Sequence, residues 1–358
     1  MSESKRTDEA MLNQEQNAML EEVYREMQRM NAPGYMATIT LNQLYENVYR
    51  SRTAIIDGLL YTGTYLFAGA PKVGKSFFMA QLAYHVSTGQ KLWQYEVHPG
   101  TVLYLALEDD YQRLQERMFR MFGVEGTDRL HFAVCAKQLN SGLDEQLRQF
   151  MKEHPDTKLI IIDTLQKIRE MGGDSYSYAD DYQIVSRLKQ FADSNGICLM
   201  IVHHTRKMPA SDKFEMISGT TGLLGSADGA FILRKEKRTD DTATLDVVGR
   251  DQPDQRLYLR KDSERLVWCF ERAERELNKP TPDPLLAQIE KMMEQVTQWQ
   301  GSATELAAQL DETINPNTLA RRLNILAGQL LNEYAIRYEN THGRSGSRIT
   351  LTKLSVDE

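Results

Sequence analysis

Residues Gly69 to Ser76 read GAPKVGKS, with the apolar run TYLFA before them and FFMAQLAYHV after them. A glycine, four further residues and then Gly-Lys-Ser is the pattern of a loop that cradles phosphate. Glycines let the backbone curl so that its N–H groups turn inward onto phosphate oxygens. Lys75 has the reach and charge for the β- and γ-phosphates, and the Ser76 hydroxyl is a hard oxygen donor for Mg²⁺. A helix starting there adds the positive end of its dipole. Gly69, Ala70, Pro71, Lys72, Val73, Gly74, Lys75, Ser76 and Phe77 are therefore expected to hold ATP with Mg²⁺. A glycine-rich turn without a ligand is the plain alternative. The buried strand before the loop and the helix after it favour phosphate.

Three further strand ends carry groups that fit around a triphosphate. Leu159-Ile-Ile-Ile-Asp163 places an acid at the C-terminal edge of a buried strand, where Asp163 is expected to join Ser76 in the Mg²⁺ shell. Thr164 follows it, so a water-activating carboxylate cannot come from the next position. Leu103-Tyr-Leu-Ala-Leu-Glu108-Asp109-Asp110 supplies one at another strand end, and Glu108 comes first after the strand. Glu108 is also the alternative to Asp163 as the strand-end acid; Asp109 or Asp110 could instead cap the next helix, and an N-cap cluster is the plain reading of all three. Ile201-Val-His203-His204 ends a third strand. His204 is the first choice for a group that senses the γ-phosphate and His203 the second, against the simpler reading of two histidines satisfied within the protein.

The elements that must carry these groups follow from the apolar pattern. TYLFAG, TVLYLALE, LHFAVC, KLIIIDT and ICLMIVHH are continuous apolar runs, which suit strands buried on both faces of a parallel sheet. Helical stretches over 75–87, 110–122 and 180–195 separate them, giving a βαβ series. AFILRK, TATLDVVG, RLYLR and RLVWCF follow in quick succession and are expected to be added antiparallel strands. Lys279-Pro-Thr-Pro-Asp-Pro284 reads as a linker. Beyond it the spacing predicts a helix over 285–299, a short one capped by Ser302 or Thr304, a third opened by Asn315-Pro316, and a hairpin around THGRSG. Three helices and a ribbon make a winged-helix pattern. Leu12, Met19, Leu20, Val23, Met27 and Met30 give residues 1–34 an apolar helical stripe that ends at Asn31-Ala-Pro-Gly34 and suits either the neighbouring core or another subunit. The expected organisation is thus an N-terminal helix over 1–34, an α/β P-loop NTPase core over 35–275, a linker over 276–284 and a small α+β winged-helix-like domain over 285–358.

The chain has 358 residues and a formal net charge of −7, which argues against bulk attraction to nucleic acid but not against a local basic channel. Three scattered cysteines fit a reducing compartment with no disulfide framework. No apolar run approaches the ~18 residues of a membrane span, and the polar start MSESKRTDEA has no signal-peptide character, so a cytoplasmic protein without membrane contact is expected.

The ordered set GAPKVGKS, LALEDD, LIIIDT, VHHTRK, GTTGLLGSADGAFILRK and VVGRDQ resembles the RecA-like ATPases of the RepA plasmid-helicase type. These are also called AAA-family ATPases of mobile elements and are close to the hexameric DnaB-type helicases. The resemblance covers roughly residues 50–272. It implies an ATP site made of the P-loop lysine, a strand-two glutamate, the Walker B acid and a histidine after the next strand, which match Lys75, Glu108, Asp163 and His204. It also implies an arginine offered by a neighbouring subunit from the late strands. Arg250 in VVGRDQ fits that place best, with Arg260 and Arg234 as rivals and a plain surface arginine as the alternative. Such an arginine stabilises charge on the transferring phosphoryl group and makes hydrolysis depend on assembly.

Rings of this kind line their channel with two loops. Here these would be residues 169–178, with Gly172, Gly173, Tyr176 and Tyr178, and residues 205–221, with Arg206, Lys207 and Lys213. Cations and aromatics on glycine-rich loops suit single-stranded DNA. In the winged-helix pattern, residues 315–331 would be the recognition helix presenting Arg321, Arg322 and Asn324, and residues 341–347 the wing, with His342, Arg344 and Arg348 nearby. Residues 281–358 nevertheless hold seven Lys/Arg against ten Asp/Glu, so docking to a protein partner suits this domain as well as DNA does. The expected function is an ATP-hydrolysing DNA motor, a hexameric ring that replicates a plasmid, phage or integrative element. An ATP-switched regulator and a RecA-type filament of recombination or repair are the alternatives.

Overall fold

The structure is a computed structural model and describes residues 34–49, 52–169, 178–204, 221–237, 239–250, 252–275, 283–310, 314–343 and 346–354. The N-terminal stripe, most of both expected channel loops, most of the linker and the tip of the wing lie outside the described residues. In chain order the elements begin with α1 (Leu41–Glu46), β1 (Ala54–Ile56), β2 (Leu60–Tyr61), β3 (Gly63–Gly69), α2 (Lys75–Thr88), β4 (Thr101–Ala106), α3 (Tyr111–Phe122) and β5 (Leu130–Ala133). They continue with α4 (Leu143–Glu153), β6 (Thr157–Asp163), α5 (Leu165–Ile168), α6 (Tyr178–Asn195), β7 (Cys198–His204), α7 (Thr221–Ser226), β8 (Gly229–Arg234), β9 (Thr242–Gly249), β10 (Gln252–Lys261) and β11 (Trp268–Arg275). The last are α8 (Pro284–Met293), β12 (Gln298–Gly301), α9 (Ala303–Gln309), α10 (Pro316–Tyr334), β13 (Ile336–Gly343) and β14 (Gly346–Lys353).

Residues Arg52–Pro282 form one compact unit. Its sheet has nine strands in the order β11-β10-β9-β8-β3-β7-β6-β4-β5. β3 and β4 are buried along their whole length, as continuous apolar strands between two helical layers must be. The strands from β8 through β3, β7, β6 and β4 to β5 are parallel. This corrects one expectation: AFILR pairs parallel with β3 and only its other edge is antiparallel, to β9. One core lies on the α2 side of the sheet and includes Phe67, Phe78, Tyr104, Leu245 and Trp268. The other lies on the opposite face and includes Leu66, Ile160, Ile162, Leu188 and Ile201.

Residues Asp283–Glu358 form the second unit together with Met1–Ser51. The described N-terminal residues 34–49 thus group with the C-terminal domain, not with the ATPase core that was expected to begin at 35. The reason is local bonding: Asn324 Nδ2 donates to Tyr45 O at 2.8 Å, and Arg321 pairs with Glu46 at 3.6 Å. The predicted helix over 285–299 also stops early. Leu285, Leu286, Ile289 and Met293 are buried, but Val296 breaks the stripe, and residues 298–301 pair with β14 as a third strand. The order is therefore helix, strand, helix, helix, strand, strand around one apolar core.

Asn324, which was expected to be presented outward by α10, is 3% exposed. Besides its bond to Tyr45, its Oδ1 accepts from Tyr338 Oη at 2.8 Å and Asn340 Nδ2 at 3.1 Å. Arg322 donates to Asp283 at 2.9 Å. α10 uses these groups to hold its own unit together.

Candidate nucleotide site

Backbone constraints shape the 69–76 loop. Lys72 has φ +64° and Gly74 has φ +109°, so the chain turns through the left-handed region twice in three residues. Lys72 is a non-glycine in that region, a conformation that persists only where the surroundings enforce it. A Cβ on Gly74 would lie 2.9 Å from Trp268 Cζ2, and one on Gly69 would lie 2.7 Å from Leu233 O. α2 then begins at Gly74 with no side-chain cap, which leaves its first N–H groups turned toward the loop.

The loop rests on Trp268, which is fully buried at the start of β11. The indole Nε1 donates to Gly74 O at 3.3 Å. The Gln81 amide bonds both the N–H and the carbonyl of Trp268, at 2.7 and 3.0 Å, and Trp93 Nε1 donates to that carbonyl at 2.6 Å. Nothing in the sequence singles out Trp268; its role follows from a late antiparallel strand closing on α2.

Four adjacent parallel strands bring the predicted residues to one edge. Gly69 pairs with His204 across β3 and β7, and Ala106 pairs with Asp163 across β4 and β6. Lys75 Nζ donates to Gly69 O (2.8 Å) and Ala70 O (3.1 Å) and lies 2.9 Å from His204 Nδ1. Asp163 accepts from Tyr104 Oη at 3.0 Å and also from the Ser76 side chain. Thr164 Oγ1 donates to Glu108 Oε1 at 3.3 Å. Asp110 caps α3 by accepting from Arg113 N, and Asp109 holds Arg117 at 2.6 Å, so both neighbouring acids have other work. His203 is turned into the protein and 7% exposed. Lys75, Ser76, Glu108, Asp163 and His204 are the set the structure brings together.

Burial governs the electrostatics. It lowers the Lys75 ammonium to about 8, although Asp163 and Glu108 pull the other way. It raises the Asp163 carboxyl, against hydrogen bonds from Ser76 and Tyr104, with Glu108 adding to the rise. Burial and the Lys75 charge lower His204. An anion beside Lys75 and a cation beside Asp163 would both restore the ionised forms. Ser76 and Asp163 are hard oxygen donors in contact, the donor set for a magnesium ion that takes its remaining ligands from phosphate and water. Among the described residues no group of three or more His, Cys, Asp or Glu forms a separate metal cage. The residues present therefore fit ATP with Mg²⁺.

Phe77 follows directly, with the Lys261 ammonium 4.1 Å and the Arg117 guanidinium 5.2 Å from its ring centre. Lys235 lies 5.5 Å from the Trp268 ring. These cation–aromatic contacts unite residues far apart in the chain, so sequence spacing offered no signal for them.

Arg250 is outside this cluster. Gly249 pairs with Gly229 at one end of β8, while Gly69 pairs with Leu233 at the other, about 13 Å along the strand at 3.3 Å per residue. Arg250 N donates to Asp228 O at 2.9 Å and its Nη2 donates to Gly225 O at 2.6 Å. Of its rivals, Arg234 is ion-paired with Asp246, and Arg260 is paired with Glu271 at 2.6 Å and Asp241 at 2.9 Å.

A family model described as an AAA domain matches residues 36–210. The DNA repair protein RadA of Streptococcus pneumoniae (strain ATCC BAA-255 / R6) is 23% identical over 174 residues, which are 48% of this chain and 37% of that protein. The chain thus spans little more than a third of that relative. Among solved structures, one described as an ATPase domain superposes with a TM-score of 0.50 at 15% identity, covering 72% of this chain and 98% of the other. A DnaB-like replicative helicase, whose structure was described together with its interactions with primase, superposes with a TM-score of 0.50 at 16% identity, covering 74% and 75%. Identities this low speak to fold: the chain has an α/β, RecA-like core with the fold of these ATPase domains. No helix among the described residues is long and apolar enough to cross a membrane.

Proposed function

We propose that the protein is an ATP-hydrolysing DNA motor, a ring-forming helicase of the RepA type that acts in replication of a mobile element. The observation that carries the ATPase half is the convergence of Lys75, Ser76, Glu108, Asp163 and His204 at one sheet edge. In this reading Lys75 and the loop N–H groups bind the triphosphate, and Ser76 and Asp163 hold Mg²⁺, which neutralises phosphate charge. Glu108, steadied by Thr164, orients the attacking water. His204, in contact with Lys75, senses the γ-phosphate. Phe77 with its two cations offers a stacking face for the base.

The motor half rests on Arg250 and on the relatives. Arg250 lies at the far end of β8 from its own phosphate loop; in this reading it serves a neighbour's phosphates instead, which would tie hydrolysis to ring assembly. The similar proteins are described as a DnaB-like replicative helicase and a DNA repair protein, and both descriptions suit work on DNA. Six subunits, a cytoplasmic location and single-stranded DNA in the channel belong to the same reading.

A second reading has its own support. The α10 groups Asn324 and Arg322 are engaged within their unit, and the C-terminal stretch is net acidic. That favours an ATP-switched regulator that docks a protein partner through the winged-helix-like domain. ATP turnover with and without single-stranded DNA, with Lys75→Ala as control, separates the two. Strong stimulation supports the motor, and unwinding of a tailed duplex then excludes a RecA-type filament. Turnover indifferent to DNA sinks the motor and leaves the regulator.

A further inference from the structure

Asp228 is a buried charge that the nucleotide site does not use. Its carboxylate is 0% exposed and accepts from Thr64 N at 2.9 Å, Arg52 Nη2 at 2.6 Å and the Lys189 ammonium at 2.5 and 2.6 Å. Asp228 N also donates to Thr64 O at 2.7 Å. Burial pushes this carboxyl up, but Lys189, the Thr64 N–H and Arg52 outweigh it and hold the group below the usual carboxylate range. Residue 228 is thereby pinned, through side chain and backbone, to the start of β3 and to α6.

The pinned residue carries Arg250. The Asp228 carbonyl accepts the Arg250 N–H, and Gly225, three residues earlier, accepts its guanidinium. Beside the turn the backbones of β8 and β9 close tightly, since a Cβ on Gly229 would run into Val248 O. The backbone N–H and the guanidinium of Arg250 are therefore both referred to one short segment, 225–228. A long arginine samples many rotamers unless its guanidinium has a fixed acceptor. A group that must reach phosphates on another subunit gains most from being aimed in advance.

We propose that Asp228 is a positioning residue for Arg250: it fixes the 225–228 segment so that the arginine is presented to the adjacent subunit in one orientation. The proposal rests on the reading of Arg250 as an arginine acting in trans. Asp228 is not one of the residues gathered at the nucleotide edge, and it acts in this proposal only through Arg250.

Subunit mixing tests it. Lys75→Ala subunits have a dead loop and an intact Arg250. Arg250→Ala and Asp228→Asn subunits have the converse. Arg250→Ala alone is expected to lose about 10³-fold in turnover. Asp228→Asn alone is expected to lose about a hundredfold, the scale for misplacing a reacting group by an ångström. The Asp228→Asn protein should keep the wild-type Kd for nucleotide, because the change is at the far end of the sheet. Mixing either variant with Lys75→Ala should restore turnover, since the Lys75→Ala neighbour supplies a well-aimed arginine to an intact loop. The Asp228→Asn/Arg250→Ala double variant should be no slower than Arg250→Ala.

Wild-type turnover by Asp228→Asn overturns the proposal. So does failure of its mixture to recover while the Arg250→Ala mixture does, or a double variant slower than Arg250→Ala; each of these leaves the reading of Arg250 standing. Wild-type turnover by Arg250→Ala brings down both. If Asp228→Asn does not fold, Lys189→Gln, which leaves Arg52 on the carboxylate, takes its place with the same outcomes and a smaller loss.

Discussion

The two ends of the central sheet treat buried charge in opposite ways. At the C-terminal edge, burial wins: Lys75 falls to about 8, Asp163 rises and His204 falls. At the N-terminal edge, partners win, and Asp228 stays below the usual carboxylate range in spite of complete burial. The difference lies in the partners. Asp228 has two cations and an N–H within hydrogen-bond distance. Lys75 is bonded to two carbonyls and an imidazole, none of which carries a full negative charge. A cluster whose ionised forms are disfavoured is one that a polyanion with its cation stabilises. A closed ion cluster binds nothing further and holds backbone in place.

The largest expected effect tests the first half of this contrast. Lys75→Ala should cut ATP turnover by about 10²–10³-fold, the scale of one lost preorganised contact. It should not lower the melting temperature, because it removes a charge that burial disfavours. Turnover near wild type, or a clear loss of stability, would mean that Lys75 belongs to the same class as Asp228.

Glu108→Gln comes next. It keeps the shape and the bond from Thr164 but removes the carboxylate that orients water, so turnover should fall by about 10²-fold with nucleotide affinity kept. Equal losses of turnover and affinity would reassign Glu108 to binding.

Asp228→Ala should lose stability, which Lys75→Ala keeps, in addition to turnover, with nucleotide affinity unchanged. Breaking a buried ion pair costs several kcal/mol. Arg52 and Lys189 are 31% and 22% exposed and regain water, which reduces the expected loss to about 2 kcal/mol in a denaturant titration. An unchanged midpoint would show that the cluster holds nothing.

The smallest effect is in pH. Lys75 has a folded-state pKa of about 8, below its usual 10.5. The unfolded chain therefore binds the extra proton between those values, and stability without nucleotide should rise as pH rises through that window. Nucleotide needs the charged lysine, so above pH 8 binding should take up a proton and affinity should fall by up to about tenfold per pH unit. Calorimetry at pH 9 in buffers of different ionisation enthalpy reads the uptake, and a value of zero would exclude Lys75 as the phosphate contact.

Much of the nucleotide edge was legible because its parts are local. GAPKVGKS carries its geometry in consecutive residues, and Glu108, Asp163 and His204 each end a continuous apolar run that could be read as a buried strand. The direction of β8 was not legible. A short strand bounded by polar turns looks alike whether it joins a parallel or an antiparallel neighbour, and pairing with β3 decided it. The α10 residues misled for a related reason. Arg322 and Asn324 on a helix look outward-facing until three other segments supply Asp283, Tyr45 and Tyr338 as partners.

By itself, then, the sequence determined the phosphate loop, the alternating α/β order and the acids and histidine at the strand ends, because backbone conformation and strand burial depend on residues close in the chain. Tertiary structure alone decided that Trp268 underlies Gly74, that Tyr104 and Ser76 meet on Asp163, that Arg117 and Lys261 both approach the Phe77 ring, and that Asp228, whose carbonyl accepts the Arg250 N–H, gathers Arg52 and Lys189. Each of these contacts depends on which strands became neighbours, a choice made by burying both faces of one sheet at once rather than by any single segment.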